Sequence, residues 1–496
     1  MELQFQESGI RTLEDVLRDV RRLELTQEIR LGDAMPDIGR VLTAWGQVHL
    51  RSKEWNREEM QVAGGVMVWV MYLPEDGTEP RCVENWIPFQ MKWDLPEGPE
   101  GMIRVGTLLR FADGRGISAR KMMVRAGISV MVQALRRTER TVFTPGEMPE
   151  NVELLRRTYP VRLPREAGER VFQLDEELAF PESEPVPEKI LSYGLSPVIS
   201  EKKVLSDKLV FKGKGNLHLV YRCQEGKLRS ADLEVPFSQF ADLDGVYSED
   251  ARADIWPAIT NLELDVPENG KIRVKAGVVG QYQVDDRQLL EITEDAYSPF
   301  RDVNRKSMDL KLPAILDVRT ESLAAEQTLT GQSGDVVDMV FLPDFPLQKR
   351  RGDLLELEVP GQFQVLYYGQ DGSIQAGSAK WEGRISLAAD ERTTVCSMML
   401  PAVPESSCGA EIRMQAHLNI SLHSSAVSTM DMVTGLELGE YRDPDPSRPA
   451  LILCRPNGEE LWEIAKRCGS TVAAIRSAND LQSETVPERM LLIPVS

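Results

Sequence analysis

Apolar and polar residues alternate along three segments of this chain, and a glycine opens each alternating run. The runs and the turns that follow them are Gly65–Tyr72 with Asp76-Gly77, Gly215–Tyr221 with Glu225-Gly226, and Gly361–Tyr368 with Asp371-Gly372. Such alternation is typical of half-buried strands, and an acidic residue followed by glycine supplies the positive φ that a tight hairpin turn needs. The pattern therefore predicts one β-hairpin in each segment.

The three segments are copies of one larger pattern. A second mixed apolar and charged run follows each hairpin, at Met122–Ala126, Ile272–Ala276 and Ile412–Ala416. The Leu-Pro pairs at Leu163 and Leu312 are 149 positions apart, which sets the length of the repeating unit. The sequence therefore predicts a mainly β protein with three related β-sheet-rich domains in tandem.

Between Ser8 and Leu25, apolar residues recur at helical spacing, which predicts one amphipathic N-terminal helix. Proline-bearing acidic stretches separate the copies and precede the C-terminal module. The predicted organisation is an N-terminal helix segment (1–35), β domain 1 (36–145), a connecting segment (146–184), β domain 2 (185–300), a connecting segment (301–335), β domain 3 (336–440), a Pro-rich linker (441–449) and a C-terminal module (450–496).

The C-terminal module has a pattern of its own: a short strand, an Asn-Gly turn, two helices and a closing strand. Leu461, Ile464, Ala465 and Cys468 recur at the spacing of one buried helix face, which predicts a small βααβ fold. Gly469 should end the first helix, and Ser470 or Thr471 should cap the second. Asn479 is expected to satisfy backbone groups where the second helix ends.

Composition narrows the possible partners. The 496 residues carry a net charge of −20, and no long basic tract is present, so nucleic acid is not expected as a partner. Neither a secretory signal nor a transmembrane run of about 18 apolar residues is found. The six cysteines form no C-x-x-C pair. These observations favour a reducing, cytoplasmic location.

Residues for catalysis are scarce. No metalloprotease, nucleophile-elbow or phosphate-loop motif occurs, and the chain has only four histidines. His218 and His417 fall on polar positions of alternating runs and are expected on solvated strand faces. His49 and His423 have no partner motif nearby. The sequence therefore predicts no catalytic residue, no metal ligand and no cofactor.

The C-terminal module resembles the LysM family, in which the two loops beside the helices border a groove for N-acetylglucosamine chains. The corresponding positions here are Asn457, Gly458, Glu459, Glu460, Leu461, Trp462, Asn479, Asp480 and Leu481. The family's Gly-Asp-Thr-Leu is Gly-Glu-Glu-Leu here, so a carboxylate replaces a small hydroxyl. Trp462 lies one residue off the buried stripe, and it either covers the edge of the core or meets a partner.

With its repeats and its terminal module, the chain resembles the SipL family of spore coat morphogenetic proteins, which combine SPOCS domains with LysM. Met35–Ile38, Val41-Leu42 and the hairpins carry this resemblance. It implies a mother-cell cytosolic scaffold at the forespore surface whose LysM module binds a coat morphogenetic ATPase. Three copies of one domain suit a scaffold, because repeated weak contacts add through effective concentration.

Three functions remain open at this point. The first is an adaptor that binds a protein through LysM, the second is a peptidoglycan or N-acetylglucosamine-polymer binding protein, and the third is an enzyme of unrecognised type. The missing secretion signal and Glu460 favour the first over the second. The lack of a catalytic cluster weighs against the third.

Overall fold

The computed structural model describes residues 2–77, 79–149, 151–181, 184–265, 271–388, 393–401, 403–442, 448–483 and 485–495. Strands dominate these residues, as the alternating sequence pattern predicts, and all the strand pairs are antiparallel. They form three repeats that follow one another along the chain, and a small module follows the third.

Repeat 1 consists of β2 to β7, and a short strand β1 precedes it. The bounds are β1 Glu2–Leu3, β2 Phe5–Arg30, β3 Ile38–Asn56, β4 Glu59–Pro74, β5 Arg81–Asp94, β6 Met102–Ser118 and β7 Lys121–Pro145. The first sheet has the order β3-β4-β5 and the second has the order β2-β7-β6.

Repeat 2 has the same plan, with sheets β9-β10-β11 and β8-β13-β12. Its bounds are β8 Glu153–Ala179, β9 Pro187–Leu205, β10 Lys208–Cys223, β11 Leu228–Asp242, β12 Arg252–Asp265 and β13 Lys271–Tyr297.

Repeat 3 varies this plan. In its first sheet β17 pairs with β15, β16 and β18, and in its second β21 pairs with β14, β19, β20 and β1. Its bounds are β14 Arg301–Leu329, β15 Gly334–Pro343, β16 Leu347–Arg351, β17 Leu354–Gly369, β18 Ile374–Ala388, β19 Thr393–Pro401, β20 Glu405–Cys408 and β21 Ile412–Tyr441.

The three predicted hairpins are confirmed as β4–β5, β10–β11 and β17–β18. Their turn glycines Gly77, Gly226 and Gly372 have φ angles of 70°, 80° and 75°, which residues with a Cβ atom rarely adopt. The local sequence was sufficient here, because both the alternation and the turn chemistry act over a few residues.

The predicted N-terminal helix is wrong, because Phe5–Arg30 is the long strand β2, paired with β7 along its length. Its apolar residues face different neighbours: Ile10 packs in one core, Leu13 in a second and Val20 in a third. A strand covered on both faces can have apolar residues at any spacing, so helix-like periodicity arises without a helix.

The segments 146–184 and 301–335, predicted to be connections, contain the long strands β8 and β14. β8 pairs with β13 and β14 pairs with β21, so each strand completes a sheet of the repeat that follows it. These strands correspond to β2 in repeat 1. Charged and apolar residues are mixed along all three, and the expected alternation is therefore weak. The domain limits themselves remain a prediction.

The repeats share a core in which corresponding positions meet. Leu191 and Val337, which are 146 positions apart, pack in one apolar cluster with Leu42, 149 positions before Leu191. Val220 and Leu366 repeat the 146-residue spacing in the same cluster. The repeats are therefore grouped around a common centre.

The long strand pairs β2–β7, β8–β13 and β14–β21 form ribbons that extend from this centre and pack together. Their apolar residues form a joint cluster in which Val161 and Leu163 of repeat 2 meet Leu310 and Leu312 of repeat 3, with Val142 of repeat 1.

The C-terminal module follows repeat 3 in the chain but lies against the ribbon of repeat 2. No helix in the described part of the chain has the length and apolar character needed to cross a membrane.

Candidate binding site in the C-terminal module

The module folds as the sequence predicts, with the order βααβ. Its elements are β22 Leu451–Cys454, α1 Leu461–Cys468, α2 Val472–Ala478 and β23 Leu491–Pro494. The predicted helix stripe is buried together with Ile475, Leu491 and Ile493. Gly469 ends α1 with φ 63°, and the Thr471 hydroxyl accepts a hydrogen bond from Ala474 N at 3.0 Å. Both cap predictions are confirmed.

Asn479 joins the second helix to the closing strand. Its amide Nδ2 donates to Ile475 O at 2.8 Å and to Leu492 O at 2.6 Å, and its Oδ1 accepts from Leu492 N at 2.8 Å. The amide thus satisfies backbone groups, as predicted, and its full set of contacts is structural. A ligand at this position would have to compete with three intramolecular hydrogen bonds.

The module contacts repeat 2 at Asp295 and Tyr297, near the end of β13. The Trp462 indole Nε1 donates to Asp295 Oδ2 at 2.9 Å, and the Lys466 ammonium lies 2.7 Å from the same carboxylate. The Tyr297 hydroxyl donates to Ser470 O at 2.9 Å, and its ring packs edge-on against Trp462 with centroids 4.8 Å apart. The module is therefore docked through specific contacts.

The electrostatics of this junction favour the docked state. Burial alone would raise the pKa of the Asp295 carboxyl, but the hydrogen bonds from Lys466 and Trp462 hold that pKa below its usual value. The two hydrogen bonds stabilise the ionised form of the Asp295 carboxyl, and the ionised carboxylate in turn strengthens both hydrogen bonds. A second ion pair joins the Arg157 guanidinium on β8 to Glu460 at 2.7 Å.

Two family descriptions match the chain. Residues 187–266 match "SipL, SPOCS domain", and residues 457–493 match "LysM domain". The chain carries a SPOCS domain and a LysM domain. Both are non-catalytic binding domains, and the pair fits an adaptor with a role in sporulation. No curated protein and no solved structure shows a significant match to the chain.

The two carboxylates of the first LysM loop both form ion pairs with arginines of this chain. The Glu459 carboxylate pairs with the Arg467 guanidinium on α1, with one contact at 3.1 Å. Glu460 N donates to the Glu463 carboxylate at 3.0 Å, while the Glu460 side chain reaches Arg157 of repeat 2. The two carboxylates that replace the family's Asp-Thr pair are therefore both engaged in ion pairs.

The other predicted site residues are spread around the module. Asn457 and Gly458 lie exposed at the loop tip, and Leu461 is in the core. Asp480 and Leu481 belong to the turn after α2, where Asp480 has φ 52° and Leu481 N donates to Arg476 O. Within the described residues, no hydrogen bond or ion pair links this turn to the first loop.

Trp462 covers the edge of the module's core, as one of the two sequence alternatives predicts, and it packs against repeat 2 of the same chain. Binding of Trp462 to a separate partner stays a prediction. Only 8% of the residue remains exposed. Sequence reasoning missed Arg157, Asp295 and Tyr297, which lie about 165 to 300 positions away from their contacts. No local motif marks them.

A second polar junction joins all three repeats, at His218. Its ring nitrogens lie 2.8 Å from Asp232 and 2.8 Å from Asp338, and the second carboxylate also accepts from Trp45 Nε1 at 2.7 Å. Burial alone would lower the pKa of His218, but the two aspartates raise it to about 10. The expectation of a solvated strand face holds only in part for His218, because Asp338 of repeat 3 covers it and 28% of its side chain stays exposed, whereas His417 is exposed as predicted.

Proposed function

We propose that the protein is a non-enzymatic adaptor in spore coat assembly, which binds a coat morphogenetic ATPase at the forespore surface through its LysM domain. The occurrence of a SPOCS domain and a LysM domain in one chain carries this proposal. The proposed location is the mother-cell cytosol, on the outer side of the forespore. The partner-binding residues are proposed to lie within the LysM domain.

The state of the LysM loops supports a protein ligand over a sugar. A glycan groove normally offers free hydrogen-bonding groups and small side chains to the sugar. Here the carboxylates of Glu459 and Glu460 form ion pairs with Arg467 and Arg157, and the amide of Asn479 makes three hydrogen bonds to the backbone. Glycan binding would break these contacts, and their loss would offset part of the affinity.

Glycan binding remains the second candidate because the LysM match favours it. In that case the protein would hold a peptidoglycan or N-acetylglucosamine polymer of the spore. The sugar would enter beside Asn457 and Gly458, the exposed tip of the first loop.

Deleting residues 446–496 tests the proposal. The truncated protein should lose recruitment to the forespore and should no longer bind the purified coat ATPase, whereas the full chain does both. Unchanged binding and localisation of the truncated protein would refute the adaptor function. Retention of the full chain, and not of the truncated protein, on purified peptidoglycan would favour the glycan function instead.

A further inference from the structure

The two strands of the LysM domain have one buried and one open face. Side chains alternate across a strand, and in the register Leu453 stands opposite Leu492 while Leu451 stands opposite Pro494. The exposed fractions are 57% for Leu451, 68% for Leu453 and 37% for Leu492. Met490, directly before β23, is 51% exposed. We call these four apolar residues, Leu451, Leu453, Met490 and Leu492, the outer face.

The outer face has no role in the module's own core. The core is formed by the alternate positions, among which Leu491 and Ile493 are completely buried. Docking on repeat 2 uses the opposite part of the domain, helix α1 with Trp462 and Lys466. Large apolar side chains on a surface that neither folding nor docking requires point to an intermolecular contact.

The other LysM surfaces are less suited to a partner. The first loop is held by Arg467 and Arg157, Trp462 is covered by Tyr297, and Asn479 is engaged with Leu492. In the docked domain these groups are already used by the protein itself. The outer face is therefore the open apolar surface among the described residues of the domain.

The size of the outer face indicates what covers it. The four side chains are each about a third to two thirds exposed, so together they present roughly a few hundred Å² of apolar area. Apolar patches of this size on monomeric proteins are often functional. A standard complex buries about 800 Å² per partner, around an apolar centre of this size, whereas obligate homodimers bury much more. The area suits a contact with a different protein.

Charge supports the same occupant. Arg455 directly follows β22 and Arg489 directly precedes Met490, and both are exposed, although the Arg489 guanidinium also donates to Asn479 O at 2.7 Å. Arg455 forms no ion pair within the described part of the chain. A second copy of this protein would bring another net charge of −20, which disfavours self-association, whereas a partner with an acidic group at the edge of an apolar segment would complement the arginines.

We infer that the outer face is the surface through which the LysM domain binds its protein partner, and that the partner presents an apolar segment flanked by an acidic side chain. This inference rests on the proposed function, because the partner used to test it is the coat ATPase. It places binding on the two-stranded sheet, outside the loops that the LysM resemblance singles out.

The test uses the full chain with Leu453→Ser and Leu492→Ser combined, and purified coat ATPase as the probe. Binding should weaken at least about tenfold, as expected when central apolar anchors are removed. Leu289→Ser is the matched control, because Leu289 is also 68% exposed but lies on β13 of repeat 2. It should leave affinity unchanged. Equal melting temperatures of the three proteins establish that the LysM fold is intact.

Arg455→Glu provides a second variant that leaves the apolar side chains in place. It should weaken binding severalfold at low salt, and the difference from the wild type should shrink as salt screens the charges. If the double serine variant and Arg455→Glu both bind as the wild type does, while deletion of residues 446–496 abolishes binding, the inference fails and the proposed function stands.

Two other outcomes have separate meanings. Binding that survives the deletion would overturn the proposed function, and the inference with it. Concentration-dependent dimers in sedimentation velocity that the double serine variant lacks would identify a second copy as the occupant, which would overturn the inferred partner.

Discussion

Replacing Asp295 by alanine removes the acceptor that two LysM side chains share. Trp462 loses a hydrogen-bond partner in a site where only 8% of that residue is exposed, and an unsatisfied buried donor costs about 1 to 3 kcal/mol. Lys466 loses an ion pair, but its side chain is 43% exposed, so that loss adds at most about 1 kcal/mol. We expect docking to weaken by about 2 kcal/mol, or about thirtyfold.

Hydroxyl-radical footprinting measures this change directly. Tyr297 and Trp462 protect each other when the domain is docked, so their oxidation rates follow the undocked fraction. Both rates should rise by up to about thirtyfold in Asp295→Ala. Asp295→Asn should have a smaller effect, because the amide oxygen still accepts from the Trp462 indole while the charge that attracts Lys466 is lost.

Glu291→Ala is the control for this experiment. Glu291 lies on the same strand and pairs with Arg156, but the two side chains are 56% and 46% exposed. Its removal should leave the footprint of the junction unchanged. Equal oxidation rates of Tyr297 in the wild type and in Asp295→Ala would show that the shared carboxylate does not hold the domain in place.

Three further predictions concern stability. Asn479→Ala removes three hydrogen bonds to the backbone of Ile475 and Leu492, which are part-buried or exposed, so the LysM domain should lose about 1 to 3 kcal/mol in urea unfolding followed by helix circular dichroism. Arg104→Ala removes the guanidinium that lies 2.7 Å from the buried Asp254 carboxylate, which then keeps the Trp256 indole as a hydrogen-bond donor and Lys202 at 4.0 Å; the loss should cost about 3 kcal/mol, measured as a lower urea midpoint. Burial, followed by the nearby Arg51, lowers the pKa of His49 to about 4, so on acidification the unfolded chain binds a proton before the native state does. The free energy of unfolding should therefore fall by up to about 3 kcal/mol as pH drops from about 6.5 to about 4, and His49→Phe should lack this part of the pH dependence.

Local patterns predicted the parts of the structure that depend on local chemistry. The hairpin turns follow from an acidic residue before glycine, and the LysM fold follows from a helix stripe, a Gly cap and a Thr cap. Both signals act within about ten residues, where the physical causes are strongest. The family matches then support the SPOCS and LysM assignments.

The long first strands of the repeats escaped the same reasoning. β2 has helix-like apolar spacing because its two faces meet different cores, and tertiary pairing with β7 outweighs any local helical preference. β8 and β14 are too rich in charged residues to show clear alternation. A sequence window contains no information on which distant strand will cover a given side chain.

The junctions between parts of the molecule were also invisible to sequence patterns. Asp295 reads as one acidic residue among many in an acidic chain, and only the fold brings Trp462 and Lys466 to it. His218 likewise gains its role from Asp338, 120 positions later. Residues that act across domains carry no spacing signal, since their neighbours are set by docking.

The arrangement of the repeats changes how a scaffold of this kind can work. Three domains strung along a chain would offer three equivalent faces, and weak contacts could add through effective concentration. Here corresponding positions such as Leu191 and Val337 pack in one cluster, so the equivalent faces that carry these positions are buried inside the molecule. Among the described residues, the contacts that dock the LysM domain lie on repeat 2. Under the proposed function, each copy of this protein contributes one LysM contact, and multivalent binding arises from assembly of the partner.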